Sequence, residues 1–428
     1  MQRRGSPLTL EVTPGRPRLA WHAAPGEPRP AQRTEVVERV RPGGPGSEVA
    51  LADGEAAGRL ILAGDNLDAL HALAGEGVRV DLVYLDPPYM AGSDRVLAAP
   101  GDPLAYRDTW PGGLDRYLDM LYARLAALRG LLAPTGNLLV HLDWHAVHYV
   151  KVMLDELMGA GNFRNEIVWR RANAHSDPAR FGVITDTLLL YGAGPDAFWA
   201  DIHVPHSAEY IRSHWRKRDA RGPYRLVPLD APRHGDGGNL VYAWKGKLPA
   251  ATRTWAVVRE TMEALERAGK IAYTATGTPN LKKYLDESPG LRAQNLWDDI
   301  PPVNPMAAER LGYPTQKPVA LLERVVAATC PAGGLVLDPF LGSGTTAEAA
   351  ERLGRRWIGV DSNPDAIRIA RGRLVALHGT AARGAVTAGY RSCEACKQVT
   401  RRTRTAKGPP LQVRPFTVER LAVIEGRK

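Results

Sequence analysis

Two separated stretches of the chain alternate short apolar runs with segments of helical spacing, and this alternation constrains the fold more than any other feature. The first stretch has the order strand, helix, strand, helix, strand, helix, strand, strand at residues 59–65, 66–74, 80–85, 115–132, 137–142, 145–158, 166–170 and 187–191. The second has the order helix, strand, helix, strand at residues 318–328, 335–338, 345–353 and 357–361. This pattern predicts a doubly wound, Rossmann-like α/β fold, in which helices cover both faces of a mostly parallel sheet.

The residues between the two stretches have a different character. Residues 171–310 are polar, irregular and rich in Arg, Lys, Trp and Tyr, which indicates an insert rather than a continuation of the sheet. Both ends of the chain are basic and lack a sustained period. The predicted organisation is therefore a flexible basic arm at 1–50, an α/β segment at 51–170, the insert at 171–310, a second α/β segment at 311–378 and a basic tail at 379–428.

The charge balance points to an anionic partner. A net charge of +10 favours nucleic acid first and an acidic membrane surface second. No apolar run approaches the ~20 residues that span a bilayer, and no apolar stretch follows the basic start, so we expect neither a membrane segment nor a secretory signal. The three cysteines, Cys330, Cys393 and Cys396, exclude a disulfide framework and are consistent with a cytoplasmic protein.

A glycine-rich turn in the second stretch is the first candidate binding site. Leu335–Thr346 reads as a strand that ends in an acid, followed by Gly342-Ser343-Gly344 at the start of a helix. Such a turn lets a ligand approach the backbone, although an ordinary tight turn explains it equally well in isolation. Asp361 ends the next strand, where these folds place an acid that binds a ribose diol. With Asp338 inside the turn, the two carboxylates fit a sulfonium cofactor that carries an ammonium group.

Asp86-Pro87-Pro88-Tyr89 is the candidate catalytic motif, because it directly follows the apolar strand Val80–Leu85. It is therefore predicted at the carboxyl edge of the sheet, where open α/β folds bind their ligands. An aromatic amine is a poor nucleophile because its lone pair is delocalised. Hydrogen bonds from its N–H groups to the Asp86 carboxylate and the Pro87 carbonyl would localise that lone pair, and Tyr89 would stack on the base. The alternative is that Pro87-Pro88 merely ends a strand.

Taken together, the two motifs resemble the amino-methyltransferases of DNA, in the arrangement where the substrate motif precedes the cofactor motif. The resemblance covers about residues 60–375 and is greatest to modification enzymes of bacterial restriction systems. It includes LAGDNLDAL, LVYLDPPYMAGSD, YRDTW, TQKPVALLERVV, LVLDPFLGSGTT and RRWIGVD. It implies S-adenosylmethionine as cofactor, with binding residues Asp65, Thr315, Lys317, Pro318, Asp338, Phe340, Gly342, Gly344, Thr345 and Asp361. The catalytic residues that it implies are Asp86, Pro87, Pro88 and Tyr89.

The resemblance also indicates the substrate. Asp at the head of the motif favours N6 of adenine in duplex DNA, with the base flipped out of the helix; N4 of cytosine is the first alternative. RNA as substrate and a DNA-binding module without catalysis also remain open, whereas the order of the motifs disfavours a protein substrate. A homodimer and a cognate restriction endonuclease are the candidate partners, and a solitary modification enzyme is the alternative to a restriction-modification system. The chain departs from the family pattern at Met90, where Asn is common, and it is shorter than typical modification subunits.

The family places target recognition in the insert, and its composition agrees. Basic and aromatic residues together suit contacts with phosphates and bases, although a solvated basic face is the alternative for any single residue. The predicted DNA-binding residues are Arg212, Trp215, Arg216, Lys217, Arg218 and Lys245. No metal site is expected, because Cys393 and Cys396 lack a second ligand pair. His141, His145 and His148 suit packing or surface roles.

Overall fold

The computed structural model describes residues 8–13, 16–21, 32–40, 59–97, 104–174, 177, 179–379 and 416–423. The helices are α1 (Asn66–Gly75), α2 (Gly113–Leu131), α3 (Val147–Leu154), α4 (Ala208–His214), α5 (Arg259–Arg267), α6 (Val319–Thr329), α7 (Thr345–Arg352) and α8 (Pro364–Gly379). The strands are β1 (Leu8–Thr13), β2 (Arg16–Trp21), β3 (Gln32–Val40), β4 (Arg59–Ala63), β5 (Val80–Leu85), β6 (Arg95–Val96), β7 (Leu104–Tyr106), β8 (Leu132–Leu142), β9 (Phe163–Arg170), β10 (Thr185–Gly192), β11 (His203–Val204), β12 (Lys217–Asp219), β13 (Gly222–Pro228), β14 (Asp230–Pro232), β15 (Arg253–Trp255), β16 (Ile271–Tyr273), β17 (Pro279–Tyr284), β18 (Leu291–Arg292), β19 (Leu296–Trp297), β20 (Leu335–Asp338), β21 (Arg356–Asp361) and β22 (Phe416–Val423).

The described residues form two compact units. His203–Ala293 forms one of them, which we call the inserted unit, and the rest of the described chain forms the α/β unit. The inserted unit is narrower than the predicted insert, residues 171–310. The difference arises because β10 pairs antiparallel with both β8 and β9 and so belongs to the main sheet.

The α/β unit is built on a mostly parallel sheet, as the alternation of strands and helices predicted. Among the described residues its strand order is β19-β9-β10-β8-β5-β20-β21-β4-β22-β3. The pairs from β8 through β5, β20, β21 and β4 to β22 are all parallel. Strands β3 and β22 come from the segments expected to be a flexible arm and a basic tail, and they pair antiparallel with each other. Both segments therefore contribute strands to the sheet.

Helices cover both faces of this sheet, as expected for a doubly wound fold. One face packs residues such as Val83 and Leu85 of β5 against α1, α2 and α3. The other packs Leu82 and Tyr84 of the same strand against α6, α7 and α8. Successive residues of β5 therefore enter two separate cores, which is why the strand reads as a continuous apolar run.

The order of the strands reverses between β5 and β20. On one side of this point β5 is followed by β8, and on the other side β20 is followed by β21 and β4. Strands β5 and β20 pair in parallel, with Val83 opposite Leu337, so their carboxyl ends lie side by side. Open α/β sheets bind ligands at such a switch point.

The inserted unit has its own small core. Its main sheet has the order β12-β13-β17-β16. A cluster of buried residues packs beside this sheet and includes Tyr242, Trp255 and Met262. The Trp255 indole N–H donates to the Tyr242 carbonyl at 2.8 Å, which satisfies the polar atom of a fully buried ring.

Candidate active site

A cavity of about 710 Å³ opens at the switch point, which is within the usual range of small-molecule sites. The carboxyl ends of β5, β20 and β21 supply much of its wall, together with the first residues of α1, α7 and α8. Asp86 and Gly342 both line it, although 256 positions separate them in the chain. The fold therefore brings the two predicted halves of the site into one space.

Most of the predicted site residues line this cavity. They are Asp65, Asp86, Pro87, Pro88, Tyr89, Thr315, Lys317, Asp338, Phe340, Gly342, Thr345 and Asp361. Pro318 and Gly344, both predicted to bind the cofactor, are absent from the wall that the described residues form. Pro318 immediately precedes α6. Gly344 has φ +78°, and a Cβ there would meet the Ala370 Cβ at 2.8 Å, so this glycine permits close packing of α7 on α8.

Asp86 is held by two side chains. Lys317 Nζ lies 2.6 Å from Asp86 Oδ2, and the Tyr89 hydroxyl donates to Asp86 Oδ1 at 2.7 Å. Lys317 is 7% exposed, so this ion pair is largely shielded from solvent. The sequence indicated Lys317 only as a cofactor residue, and its contact with the predicted catalytic carboxylate had no local sequence signal.

Tyr89 is largely buried beneath the cavity. Burial and the neighbouring Asp86 charge raise its pKa well above the usual value, so the hydroxyl stays protonated and can donate. Its ring centroid lies 6.0 Å from that of His141. His141 in turn contacts the Tyr84 hydroxyl at 2.8 Å and Asp186 at 3.3 Å. This buried network fixes the floor of the site, and it confines His141 to the packing role that was expected of it.

The backbone after the motif is clamped by Asp108. The buried Asp108 carboxylate accepts hydrogen bonds from the backbone N–H groups of Met90, at 2.6 Å, and Ala91, at 3.0 Å. Met90 has φ +60°, in the left-handed region that Asn adopts more readily than Met. This conformation explains why Asn suits the position, and Asp108 holds the chain there despite the strain.

Two carboxylates line the opposite part of the cavity. Burial raises the pKa of Asp338 to about 7, despite a hydrogen bond from the Phe340 N–H to its Oδ1 at 3.0 Å. Burial also raises the pKa of Asp361, whose two oxygens accept backbone N–H groups of Gly342 and Asn363, each at 2.8 Å. A bound cation stabilises the ionised form of a buried carboxylate, so the burial of these two groups favours a cationic ligand. These residues therefore fit the predicted sulfonium cofactor.

Several cavity residues had no assigned role at the sequence level. Arg124 pairs with Asp65 across 3.2 Å and holds the acid that begins α1. The Tyr106 hydroxyl contacts Thr315 Oγ1 at 2.9 Å. Thr315 has φ +57°, which is unusual for a β-branched residue. Tyr106 and Thr315 belong to the segments YRDTW and TQKP of the resemblance, so only the residue-level contact was missed.

The predicted DNA-binding residues all lie in the inserted unit. Arg212, Arg216, Lys217 and Arg218 are exposed there. Lys245 is also exposed but forms an ion pair with Glu266. Trp215 was expected to contact DNA, but it is only 5% exposed and packs against His206 and Arg225. In this structure the Trp215 ring is buried within the inserted unit, so it presents almost no surface for the predicted contact with DNA.

The remaining expectations concern metals and membranes. No group of residues in the described part of the chain has the composition of a metal site. No helix within the same residues is long and apolar enough to cross a membrane. Cys393 and Cys396 lie outside the described residues.

Comparison with known proteins places this geometry in a family. Residues 80–372 match the family model described as DNA methylase. Type II methyltransferase M.EcaI of Enterobacter cloacae is 33% identical over 302 residues, which are 70% of this chain and 65% of the relative. The Mod subunit of the type III restriction-modification enzyme StyLTI of Salmonella typhimurium is 30% identical over 339 residues, 71% of this chain and 51% of the relative. The chain thus spans between half and two thirds of the length of these two relatives.

Solved structures are more distant. The crystal structure of the M1.HpyAVI–SAM complex is 18% identical, with a TM-score of 0.41, and the match covers 74% of this chain and 98% of that one. The family assignment depends on the sequence matches.

Proposed function

Since this chain belongs to the DNA methylase family, we propose that it transfers a methyl group to the exocyclic amino nitrogen of a base in duplex DNA. One observation carries the proposal. Asp86 directly follows β5 and Asp338 ends β20, these two strands are parallel neighbours, and both residues line one cavity. A group that binds the target amine therefore lies in the same space as a group suited to a cationic methyl donor.

The proposed methyl donor is S-adenosylmethionine, which supplies a methyl group on a positively charged sulfur. Asp338 and Asp361 provide negative charge in a low-dielectric wall, where it is worth more than in water. Gly342 keeps the turn open, since a Cβ at this position would lie only 3.2 Å from the Tyr313 ring. Asp65 and Thr315 are among the further residues that the resemblance assigns to this ligand.

Asp86 and the Pro87 carbonyl are proposed to accept the N–H groups of the target amine. Lys317 and Tyr89 each engage one oxygen of Asp86, which fixes the orientation of the carboxylate. An ionised carboxylate accepts about four hydrogen bonds, so these two contacts leave acceptor capacity for the substrate. Lys317 also places a positive charge 2.6 Å from one oxygen of this acceptor.

The proposed target is N6 of adenine, because Asp heads the catalytic motif. N4 of cytosine carries the same chemistry and is the alternative. Neither amino group is accessible to a cavity of this kind inside a duplex, so the base must be rotated out of the stack. One of the relatives named above is the Mod subunit of a restriction-modification enzyme, and this chain is proposed to modify DNA in the same setting. A homodimer and a cognate endonuclease stay predictions.

Nucleoside analysis tests the proposal directly. DNA from a methylation-free host that expresses the chain is hydrolysed and examined by mass spectrometry. We expect N6-methyladenine with the wild type and none with Asp86→Ala. Asp119→Ala, an exposed acid on α2, is the matched control and should retain methylation. N4-methylcytosine would overturn the choice of base, and unmodified DNA would overturn the activity.

A further inference from the structure

An exposed aromatic surface lies outside the cavity and has no role in the chemistry proposed above. It consists of Trp144, His145, Arg180 and Phe181, which we call the aromatic ridge. Phe181 is 98% exposed and Trp144 is 44% exposed. A single exposed apolar residue needs no explanation, but a fully exposed Phe that follows Arg180, whose guanidinium lies over a second exposed ring, is a candidate contact surface.

The ridge lies at the same edge of the sheet as the catalytic motif. Strand β8 runs parallel to β5 with Val140 opposite Leu85, so the residues after Leu142 emerge next to Pro87–Tyr89. Strand β10 begins beside the end of β8, with Thr187 opposite Leu142, so the preceding loop reaches the same edge. The Arg180 guanidinium lies 5.2 Å from the Trp144 ring centroid, which joins the two segments.

The supporting part of the ridge is ordered by specific contacts. Asp143 accepts the backbone N–H of His145 at 3.0 Å and contacts its Nδ1 at 2.8 Å. The His145 ring stacks on Trp144 with centroids 3.9 Å apart. Trp144 is thus held by His145 and contacted by Arg180, while Phe181 projects with almost no cover. Phe181 therefore exposes its ring directly after Arg180, which contacts the ordered Trp144.

The charge around the ridge favours a polyanion. Arg170 and Arg180 are both exposed at this edge, and Arg180 also forms an ion pair with Asp177 across 3.1 Å. The acids Asp143 and Asp186 are buried and already engaged, by His145 and by His141 and Arg171 respectively. Exposed rings that alternate with exposed Arg suit a nucleic acid, which offers stacking surfaces and phosphates together.

We propose that the aromatic ridge binds duplex DNA and that Phe181 inserts at the step vacated by the flipped base. This inference rests on the proposed function and adds a contact outside the inserted unit. A duplex that loses one base from its stack exposes the faces of its neighbours, and an apolar wedge compensates for that loss. Phe181 acts on the flipping equilibrium and touches neither the methyl donor nor the amine.

The test compares Phe181→Ala with Phe181→Trp and with Val375→Ala. Val375 is a 40% exposed apolar residue on α8 and serves as the matched control. The substrate is an oligonucleotide duplex carrying the methylation site, once that site has been located by modified-base sequencing. Methyl transfer is measured on a matched duplex and on one with a mismatch at the target base. Flipping is followed by the fluorescence of 2-aminopurine at the target position.

Loss of one base-stacking ring is expected to lower kcat/KM on matched DNA by ~5- to 150-fold. Phe181→Trp and Val375→Ala should remain near the wild type. The deficit of Phe181→Ala should shrink on mismatched DNA, where flipping costs less, and its 2-aminopurine signal should fall on matched DNA. An undiminished rate, or an equal deficit on both duplexes, would overturn the inference.

Two further results separate the possible failures. If Phe181→Ala changes the oligomeric state measured by light scattering, the ridge is a contact between copies of this chain and the inference is wrong. If the wild type transfers no methyl group, the proposed function fails. The affinities of wild type and Phe181→Ala for the duplex then still decide whether the ridge contacts DNA, and equal affinities would refute the contact.

Discussion

The affinity of the cavity for a cationic cofactor should depend on pH through Asp338. Burial raises the pKa of this carboxyl group to about 7 in the ligand-free protein. A bound cation favours the ionised form, so only the deprotonated fraction binds well. Affinity should therefore rise as the pH rises through 7 and should fall on acidification.

The size of the effect follows from linkage. With a pKa of about 7, the apparent dissociation constant is multiplied by one plus the ratio of protonated to ionised Asp338. That factor is about 2 at pH 7.0 and about 33 at pH 5.5, so affinity should weaken about 16-fold between these pH values. The window lies below the ~7.7–8.0 range of an α-amino group, so the ammonium group of the ligand stays charged.

Isothermal titration calorimetry of S-adenosylmethionine at pH 5.5, 6.0, 6.5 and 7.0 measures this dependence. Asp338→Asn keeps an oxygen for the Phe340 N–H and cannot ionise, so it should bind more weakly at pH 7 and with a nearly flat profile. A wild-type constant that changes less than twofold across the window would refute the reasoning. An equal slope in the variant would assign the proton to another group, with Asp361 the first candidate.

Three other changes test the geometry. Lys317→Met removes the cation 2.6 Å from Asp86 Oδ2. It should lower kcat at least about tenfold, which is ~1.4 kcal/mol, with little change in the KM for DNA. An unchanged kcat would contradict the positioning role. Met90→Val places a β-branched residue at φ +60° and should lower the free energy of unfolding, measured by urea titration, by about 1–2 kcal/mol. Met90→Asn should be tolerated, and equal losses in the two variants would argue against backbone strain. Gly344→Ala should destabilise by about 1–3 kcal/mol because its Cβ would lie 2.8 Å from the Ala370 Cβ. Ala370→Gly removes that Cβ but leaves the Ala370 Cα 3.0 Å away, so it should restore part of the loss in a double-mutant cycle; additive losses would exclude a clash with the Cβ.

The sequence was sufficient for the parts of the fold that depend on local pattern. Asp86 and Gly342 each follow an apolar strand, and the carboxyl ends of parallel strands share one edge, so a common site was predictable. The contact between Lys317 and Asp86 was not, because it joins positions 231 residues apart and leaves no trace in periodicity. The same limit applies to the pairing of β3 with β22 and to the burial of Trp215, since both depend on tertiary contacts.

The inserted unit begins later in the chain than the predicted insert for a related reason. Residues 171–184 are polar in sequence, and that polarity resembles the inserted unit that begins at His203. Composition groups the two together, although β10 lies between them in the main sheet. The aromatic ridge was hidden by the same grouping, because Phe181 reads as part of a recognition insert until the strands on either side of it are paired.

Lys317 also explains how one cavity can serve an amine acceptor and a cation. Among the carboxylates that line the space are Asp86, Asp338 and Asp361, and buried like charges are costly unless they are paired. The ammonium group of Lys317 contacts Asp86 and neither of the others among its described hydrogen bonds. The cavity therefore has one carboxylate, Asp86, that is paired with a cation before any ligand binds. A second carboxylate, Asp338, is stabilised in its ionised form only when a cationic ligand binds. Asp86 is therefore paired with Lys317 before any cofactor is bound, whereas ionisation of Asp338 is coupled to cofactor binding.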